Sequence, residues 1–226
     1  MEEKEPIQIL YQDKRILVCL KPPGVASVDQ PGGLPDLLRR QLGGEGKCLR
    51  TVHRLDQPVG GVMVLARSRM AAQLLSQQVE NRSFHKEYLA VLSGIPEQET
   101  GTMADLLGYD RTKRRAFVAQ EPGREVREAI LHYRVLDTVS GHALVGVELE
   151  TGRTHQIRIQ FAARGLPLVG DRKYGAPPFD LEGIALWSHM LEFGHPQTGK
   201  RISFSALPPE EGPWSWFERL KTKDTE

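Results

Sequence analysis

The sequence is poor in cysteine, lacks a long apolar run and shows no excess of charge of one sign. Its two cysteines, Cys19 and Cys48, form neither a CxxC pair nor the framework of a disulfide-rich secreted domain. Cys19 stands within an apolar run, which predicts a buried and unreactive thiol. No apolar segment approaches the ~20 residues that a membrane-spanning helix needs. Residues 1–5 are charged and precede no apolar stretch, so no secretory signal is visible and we expect a cytoplasmic protein.

Several motifs of metal and nucleotide enzymes are also missing. The seven histidines show neither HxxxH nor HExxH spacing and accompany no cysteine cluster, so no metal site is predicted. The sequence contains no GxSxG, P-loop or GxGxxG motif, and we expect no cofactor. No heptad pattern resembling a coiled coil is present, and a monomer is the default expectation.

The overall charge is nearly balanced. The chain has 30 basic and 29 acidic residues, a net charge of +1, whereas nucleic-acid-binding proteins usually carry a basic excess. The charge is segregated, however, because residues 111–115 read RTKRR. Such a run is either a solvated surface or a contact for a polyanion, and both interpretations stay open at this point.

The apolar pattern predicts more strands than helices. Predicted strands lie at 7–11, 16–20, 62–66, 87–94, 129–136 and 143–149. Predicted helices lie at 35–42, at 68–81 with Ser68 as N-cap, and from about 154 to 165. Residues 95–128 are predicted as loops and short edge strands. Because no regular βαβ alternation appears, we predict an α+β fold with a mixed, mostly antiparallel sheet and flanking helices and loops. We expect a single domain over 1–226.

Asp56 lies in a turn that leads into one of the predicted strands. The segment reads VHRLDQPVGG, in which Pro58 and the glycine pair are typical turn residues. Taken alone, such an aspartate is most simply a solvated turn residue.

A second informative segment, TGRTHQIR at 151–158, precedes or begins a predicted helix. Its arginines, Arg153 and Arg158, are ordinary surface cations in one interpretation. In the other, a planar guanidinium clamps a carboxylate in one orientation through paired hydrogen bonds. The residues alone leave this choice open.

Four segments in this order resemble the RluA family of RNA pseudouridine synthases: HRLD at 53–56 before a glycine and an aliphatic strand, KEYLA at 86–90, GRTHQIR at 152–158 and GDRKYG at 170–175. The resemblance covers about residues 7–208. It implies a catalytic domain without the S4 RNA-binding domain that some relatives carry. Residues 59–61, Val-Gly-Gly, depart from the Thr-Ser-Gly common in that family.

The resemblance also implies roles for individual residues. Asp56 is implied to be catalytic, Arg158 to pair with it, and Tyr88 to be the active-site tyrosine. Six further residues are predicted to contact the substrate or RNA. Arg114 and Arg115, in the basic run, are predicted from charge alone. The others are His53, Arg54, Arg153 and the pocket residue Leu186.

The implied function is isomerisation of specific uridines in ribosomal or transfer RNA to pseudouridine, with RNA as partner. Two alternatives remain at the level of the sequence. One is a non-catalytic RNA-binding module on the same fold, for which the intact Asp56, Tyr88 and Arg158 would be unnecessary. The other is a carboxylate-dependent glycoside hydrolase, which needs two acids in one cleft, and no second acid stands out beside Asp56.

Overall fold

The computed structural model describes residues 5–43 and 48–221. The backbone forms two compact units, which we call unit 1 (1–86 and 188–206) and unit 2 (87–187 and 207–226). This division concerns packing, and the expectation of one domain over 1–226 stays a prediction. Most of the charged start at 1–5 lies outside the described residues.

The described residues contain eleven strands and three α-helices. The strands are β1 (Ile9–Gln12), β2 (Ile16–Lys21), β3 (Arg50–Thr51), β4 (Gly60–Ala66), β5 (His85–Leu92), β6 (Thr100–Asp110), β7 (Arg115–Ala119), β8 (Arg127–Val139), β9 (His142–Leu149), β10 (Leu186–Gly194) and β11 (Arg201–Ser205). The helices are α1 (Leu34–Leu42), α2 (Arg69–Glu80) and α3 (Gln156–Ala162). No helix in the described part of the chain is long and apolar enough to cross a membrane.

Strand β4 is the centre of unit 1 and confirms the strand predicted at 62–66. Every residue of β4 is buried. Because side chains alternate between the faces of a strand, Val62 and Val64 pack into a cluster with Leu75 of α2. Met63 and Leu65 pack into a second cluster with Leu34 and Leu38 of α1. Helices therefore cover both faces, which explains the continuous apolar run in the sequence.

Helix α2 follows β4 almost directly, as predicted. Ser68 is its N-cap and accepts a hydrogen bond from the Ala71 amide at 3.1 Å. The buried face is formed by Ala71 and Leu75. Met70, which the apolar spacing places on that face, is instead 66% exposed, because the contact surface of the helix is narrower than its apolar stripe.

Unit 2 is built on the strand order β5-β9-β8-β6-β7. The prediction of loops and short edge strands for 95–128 is wrong for β6, an 11-residue strand paired on one side with β8 and on the other with β7. Polar and apolar residues alternate poorly along β6, so its sequence pattern does not indicate a strand. The strand is stabilised by pairing with β7 and β8. Helix α3 is shorter than predicted at both ends. It begins at Gln156 because His155 takes a left-handed conformation immediately before it, and it ends at Ala162.

The pairings within each unit are antiparallel. This holds for β1–β2, β2–β4, β3–β4 and β10–β11 in unit 1 and for the four pairs of unit 2. The predicted α+β class with a mostly antiparallel sheet is confirmed.

Candidate active site

The loop between β3 and β4 carries Asp56, whose side chain is partly exposed. The nearby Leu55 and Val59 are buried, and the Val59 amide donates to the Asp56 carbonyl at 3.0 Å. The loop therefore presents a carboxylate from a backbone that apolar side chains anchor on both sides.

Ser27 holds the residue that precedes Asp56. Its hydroxyl donates to the Leu55 carbonyl at 2.7 Å and accepts from the Leu55 amide at 3.1 Å. Both groups of one peptide residue are thus satisfied by a single buried hydroxyl, which leaves that residue little freedom.

The residue that follows Asp56 is held as well. The Gln57 carbonyl accepts from the Gly24 amide at 2.9 Å, and the Gln57 side-chain amide donates to the Gly24 carbonyl, also at 2.9 Å. The Asp56 loop is consequently fastened to the 22–27 loop on both sides of the carboxylate.

Lys21, the last residue of β2, completes this attachment and is 0% exposed. Its ammonium donates to the carbonyls of Pro22 at 2.9 Å, Val25 at 2.7 Å and Gln57 at 3.2 Å. Three acceptors match the three protons of an ammonium group. Lys21 therefore ties the end of β2 to the residue next to Asp56.

Lys21 also places a charge near Asp56. Burial lowers the pKa of Lys21 to about 8, while the charge of Asp56 acts in the opposite direction. Since carbonyls occupy its three protons, the attraction to Asp56 acts through space rather than through a hydrogen bond. The neighbouring Cys19 is buried and its pKa is raised to about 12 by burial, which confirms the expected unreactive thiol.

The sequence reasoning missed Lys21 and Ser27. The available signal was the Pro-Pro-Gly turn directly after Lys21, which ends the strand at that residue and contains one of its three acceptors, the Pro22 carbonyl.

His53 lies in the interior of unit 1. It is 8% exposed, its ring centroid is 5.4 Å from that of Phe84, and its Nε2 accepts from the Val64 amide at 3.1 Å. Burial, assisted by the charge of Lys86, lowers the pKa of His53 to about 3, so the ring is neutral with its proton on Nδ1. Among the described residues Nδ1 has no hydrogen-bond partner. The RNA contact predicted for His53 would require the ring to leave the core, so this environment favours a structural role.

Arg54, by contrast, is exposed and has no carboxylate partner among the residues described. It lies two positions before Asp56 at the surface, and the RNA contact predicted for it stays a prediction.

In unit 2, Arg158 of α3 is 4% exposed and forms a bidentate ion pair with Asp171. The Nε–Oδ2 distance is 2.6 Å and the Nη2–Oδ1 distance is 2.9 Å. Asp171 belongs to the GDRKYG segment and was not among the predicted site residues, although it is the acid of that motif. Asp56 belongs to unit 1, so the pairing predicted for Arg158 and Asp56 stays a prediction.

The side chain of Tyr174 lies next to Arg158 and contacts three further residues. Its hydroxyl accepts from the Ala116 amide at 2.8 Å and lies 2.7 Å from Nδ1 of His155. The guanidinium carbons of Arg158 and Arg115 lie 5.2 Å and 5.1 Å from the centre of its ring. The structure thus brings two of the predicted arginines to one aromatic side chain.

Tyr88 and Leu186 both occupy strands. Tyr88 is buried in β5, opposite Val147 of β9, and Leu186 is buried at the start of β10. Tyr88 lies in the strand predicted for it, and the roles that the resemblance implies for Tyr88 and Leu186 stay predictions.

The other predicted RNA-binding arginines lie at the surface of unit 2. Arg153 is exposed, and its Nε donates to the Glu128 carbonyl at 2.9 Å, which fixes its stem on β8. Arg114 and Arg115 are exposed where the β6–β7 hairpin turns. Among the described residues no group of three His, Cys, Asp or Glu side chains is arranged to hold a metal ion.

Comparison with known sequences places these features in a family context. A sequence model of the family described as RNA pseudouridylate synthase matches residues 15–163. A Bacillus subtilis relative, "Uncharacterized RNA pseudouridine synthase YlyB", is 34% identical over 221 residues, which cover 93% of this chain and 72% of the relative. A Pseudomonas aeruginosa relative, "Ribosomal large subunit pseudouridine synthase D", is 34% identical over 240 residues, covering 97% of this chain and 73% of the relative.

Solved structures show the same similarity. "Human RNA Pseudouridylate Synthase Domain Containing 1" superposes with a TM-score of 0.76 and 25% identity, covering 92% of this chain and 87% of that chain.

Proposed function

Because the chain belongs to the RNA pseudouridylate synthases, of the RluA type that its motifs predict, we propose that it converts specific uridines of ribosomal RNA to pseudouridine with Asp56 as the catalytic residue. Family membership makes it an RNA pseudouridine synthase, with RNA as its substrate. The ribosomal target and the role of Asp56 are the proposed steps.

The attachment of the Asp56 loop carries the proposal for this residue. Ser27 holds Leu55, and Lys21 and Gly24 hold Gln57, so the carboxylate between them has a defined position while its side chain stays accessible. A solvated turn aspartate would not need this framework. Preorganisation of this kind is what a group that attacks or stabilises a reacting atom requires.

The reaction exchanges one bond for another within a nucleotide. The N1–C1′ bond of uridine breaks, the uracil rotates and C5 bonds to C1′. The hydrogen of C5 leaves as a proton, and N1 takes up a proton in its place, so the product is an isomer of the substrate. No redox partner or energy source is consumed. The base must first leave its stack, at a cost of a few kcal/mol.

We assign the remaining roles as follows. Asp56 acts as nucleophile or as electrostatic partner in glycosidic cleavage. Tyr88 stacks on the base and takes part in proton transfer. Arg158 orients the catalytic carboxylate, and its own guanidinium is preoriented by Asp171. The exposed Arg54 fills the space of the extruded base or contacts a phosphate.

Release of tritium from RNA labelled at C5 of uridine tests the proposal. We expect release by the wild type and a loss of at least about a thousandfold in Asp56→Asn. Asp137→Asn is the matched control, since its side chain accepts only the local Thr138 amide and asparagine can do the same. RNA binding without release by the wild type would identify a non-catalytic module, and full activity of Asp56→Asn would remove Asp56 from the mechanism.

The ribosomal target is tested by mapping pseudouridines in cells with and without the gene. The relative named for the large ribosomal subunit supports this choice. A site lost from ribosomal RNA agrees with the proposal, whereas losses confined to transfer RNA contradict it.

We further propose that the enzyme acts in the cytoplasm as a monomer without a metal ion. The reaction is redox-neutral, and the Asp56 carboxylate supplies the negative charge proposed to assist glycosidic cleavage. Activity should therefore persist in EDTA and should elute with the monomer in size-exclusion chromatography.

A further inference from the structure

The β6–β7 hairpin of unit 2 carries an exposed aromatic side chain, Phe117. The residue is 45% exposed, unusual for a phenylalanine of a folded sheet. It lies directly opposite Gly108 in the antiparallel register. The hairpin therefore pairs its large exposed ring with a residue that has no side chain.

The glycine lets the ring lie against the backbone of β6. A Cβ at position 108 would overlap the Phe117 ring, with both Cε atoms only 2.8 Å away. One side of the ring is thus covered by the backbone at Gly108, and the exposed remainder faces solvent. Aromatic cover of a strand glycine stabilises a sheet, which accounts for the covered side only.

The hairpin that presents the ring is fixed in place. Asp110 accepts from the amides of Thr112 and Lys113, both at 2.9 Å, and closes the turn. On the other side, the Tyr174 hydroxyl accepts from the Ala116 amide at 2.8 Å, and Lys173 donates to the Arg114 carbonyl at 3.0 Å. Phe117 therefore follows a turn whose position is set before any ligand arrives.

Uncompensated positive charge surrounds this turn. Arg111 pairs with Glu125 at 3.0 Å, and Lys113 lies 4.0 Å from Asp110. Arg114 and Arg115 are exposed and have no carboxylate partner in the part of the chain that the structure describes. Arg115 lies over the Tyr174 ring, which leaves its charge unneutralised. An exposed ring beside two arginines without a carboxylate partner in the described residues matches a polyanion with flat apolar groups better than it matches an uncharged protein surface.

We propose that Phe117 is a stacking platform for an unpaired base of the substrate RNA, with Arg114 and Arg115 on the adjoining phosphates. The proposal rests on the proposed function, which makes RNA the ligand. A paired base offers no free face, so the platform selects single-stranded RNA or a loop. Stacking on an aromatic ring tolerates any base, so the platform adds affinity and register rather than sequence choice.

Binding of oligouridylate, single-stranded or paired with oligoadenylate, tests the platform. Phe117→Leu retains apolar cover for Gly108 but has no π face. We expect its Kd for the single strand to rise about tenfold, in line with the usual worth of one base–aromatic stack. Phe117→Tyr should bind as the wild type does. Ile95→Ala is the control, because it removes an exposed apolar side chain elsewhere in unit 2.

A second variant keeps the test independent of folding defects. In Phe117→Trp, the added indole fluorescence should be quenched by oligouridylate. Wild-type affinity of Phe117→Leu, equal losses for single strand and duplex, or an unquenched indole would each overturn the platform.

Tritium release separates this proposal from the proposed function. If the wild type modifies RNA, Phe117→Leu should raise KM and leave kcat unchanged. A wild type that releases no tritium refutes the function, whereas an active wild type with an unchanged KM in Phe117→Leu refutes only the platform.

Discussion

Lys21 shows how a single buried residue can act on a site that it does not enter. An ammonium group without solvent contact is tolerated only when its protons are satisfied, and three carbonyls do this here. One of these carbonyls belongs to Gln57, next to Asp56. The same side chain is thus a structural tie and a nearby positive charge.

Replacement of Lys21 by methionine should therefore affect catalysis more than binding. Lys21→Met preserves most of the stem but removes the ammonium donor of three carbonyls, of which that of Gln57 keeps the Gly24 amide. This should lower the free energy of unfolding by about 2 kcal/mol. We expect kcat to fall at least about tenfold with little change in KM, because Asp56 loses its defined position. Steady-state tritium release, measured well below the melting temperature, checks this.

The control for Lys21 is Lys14→Met, which makes the same chemical change at an exposed turn position. It should leave kcat and stability near wild type. A Lys21→Met enzyme with wild-type kcat would show that the tie does not position Asp56.

The buried His53 makes the free energy of unfolding depend on pH. Its pKa is about 3 in the folded protein, against 6.5 for an ordinary histidine, so between these values the unfolded chain binds one more proton than the folded chain. The contribution of His53 to the free energy of unfolding is fully present above pH 6.5. It is lost as pH falls toward 3, by about 1.4 kcal/mol per pH unit. Urea denaturation at several pH values between 3 and 6.5 measures the free energy of unfolding. In His53→Gln, the slope of this free energy against pH should be smaller than in the wild type by about 1.4 kcal/mol per pH unit. Equal slopes in the two proteins would contradict the buried neutral ring.

At the level of elements, the start of β4 depends on a close approach to β10. Gly61 has φ +122°, and a Cβ there would lie 2.8 Å from Cα of Ser188 and would overlap its amide nitrogen and carbonyl oxygen. Ser188 also donates from its hydroxyl to the Val62 carbonyl at 2.9 Å. The glycine is thus required by a neighbouring backbone and not only by a turn.

Gly61→Ala should consequently destabilise the protein by about 3 kcal/mol, because it combines overpacking with an unfavourable backbone conformation. Chemical denaturation measures the change. Gly199→Ala is the matched control: its φ is +69°, nothing lies within 4 Å of the added Cβ, and a cost of about 1 kcal/mol is expected. Similar losses in both variants would rule out the close approach as the cause.

Elements whose signals lie within their own residues were predicted correctly. Strand β4 and helix α2 were predicted because a continuous apolar run and a serine cap lie in the residues themselves. Strand β6 was missed because its order comes from pairing with β7 and β8 on both sides. The site divided in the same way: Asp56 was predicted from its motif, whereas Ser27 meets Leu55 from 28 positions away.

At the scale of the whole molecule, a net charge of +1 means that the protein as a whole attracts RNA weakly. Affinity must then come from local groups of cations. Because Arg114 lacks a carboxylate partner among the described residues, Arg114→Gln should weaken binding of oligouridylate and reduce the salt slope of log Kd by about 0.7, the value for one phosphate contact on a single strand.

Arg134→Gln supplies the control for this charge change, since Arg134 is exposed on β8, opposite Thr100. Its salt slope should match that of the wild type. If the two variants lose affinity equally, binding would follow total charge and not the position of Arg114.

The sequence by itself determined the family, the α+β class and the position of Asp56 before β4, because motifs, periodicity and turn residues are properties of neighbouring positions. Only the tertiary structure decided that Lys21 is buried beside the Asp56 loop, that His53 lies in the core and that Arg158 pairs with Asp171. Burial, desolvation and ion pairing depend on residues brought together from distant parts of the chain. No local pattern encodes that arrangement.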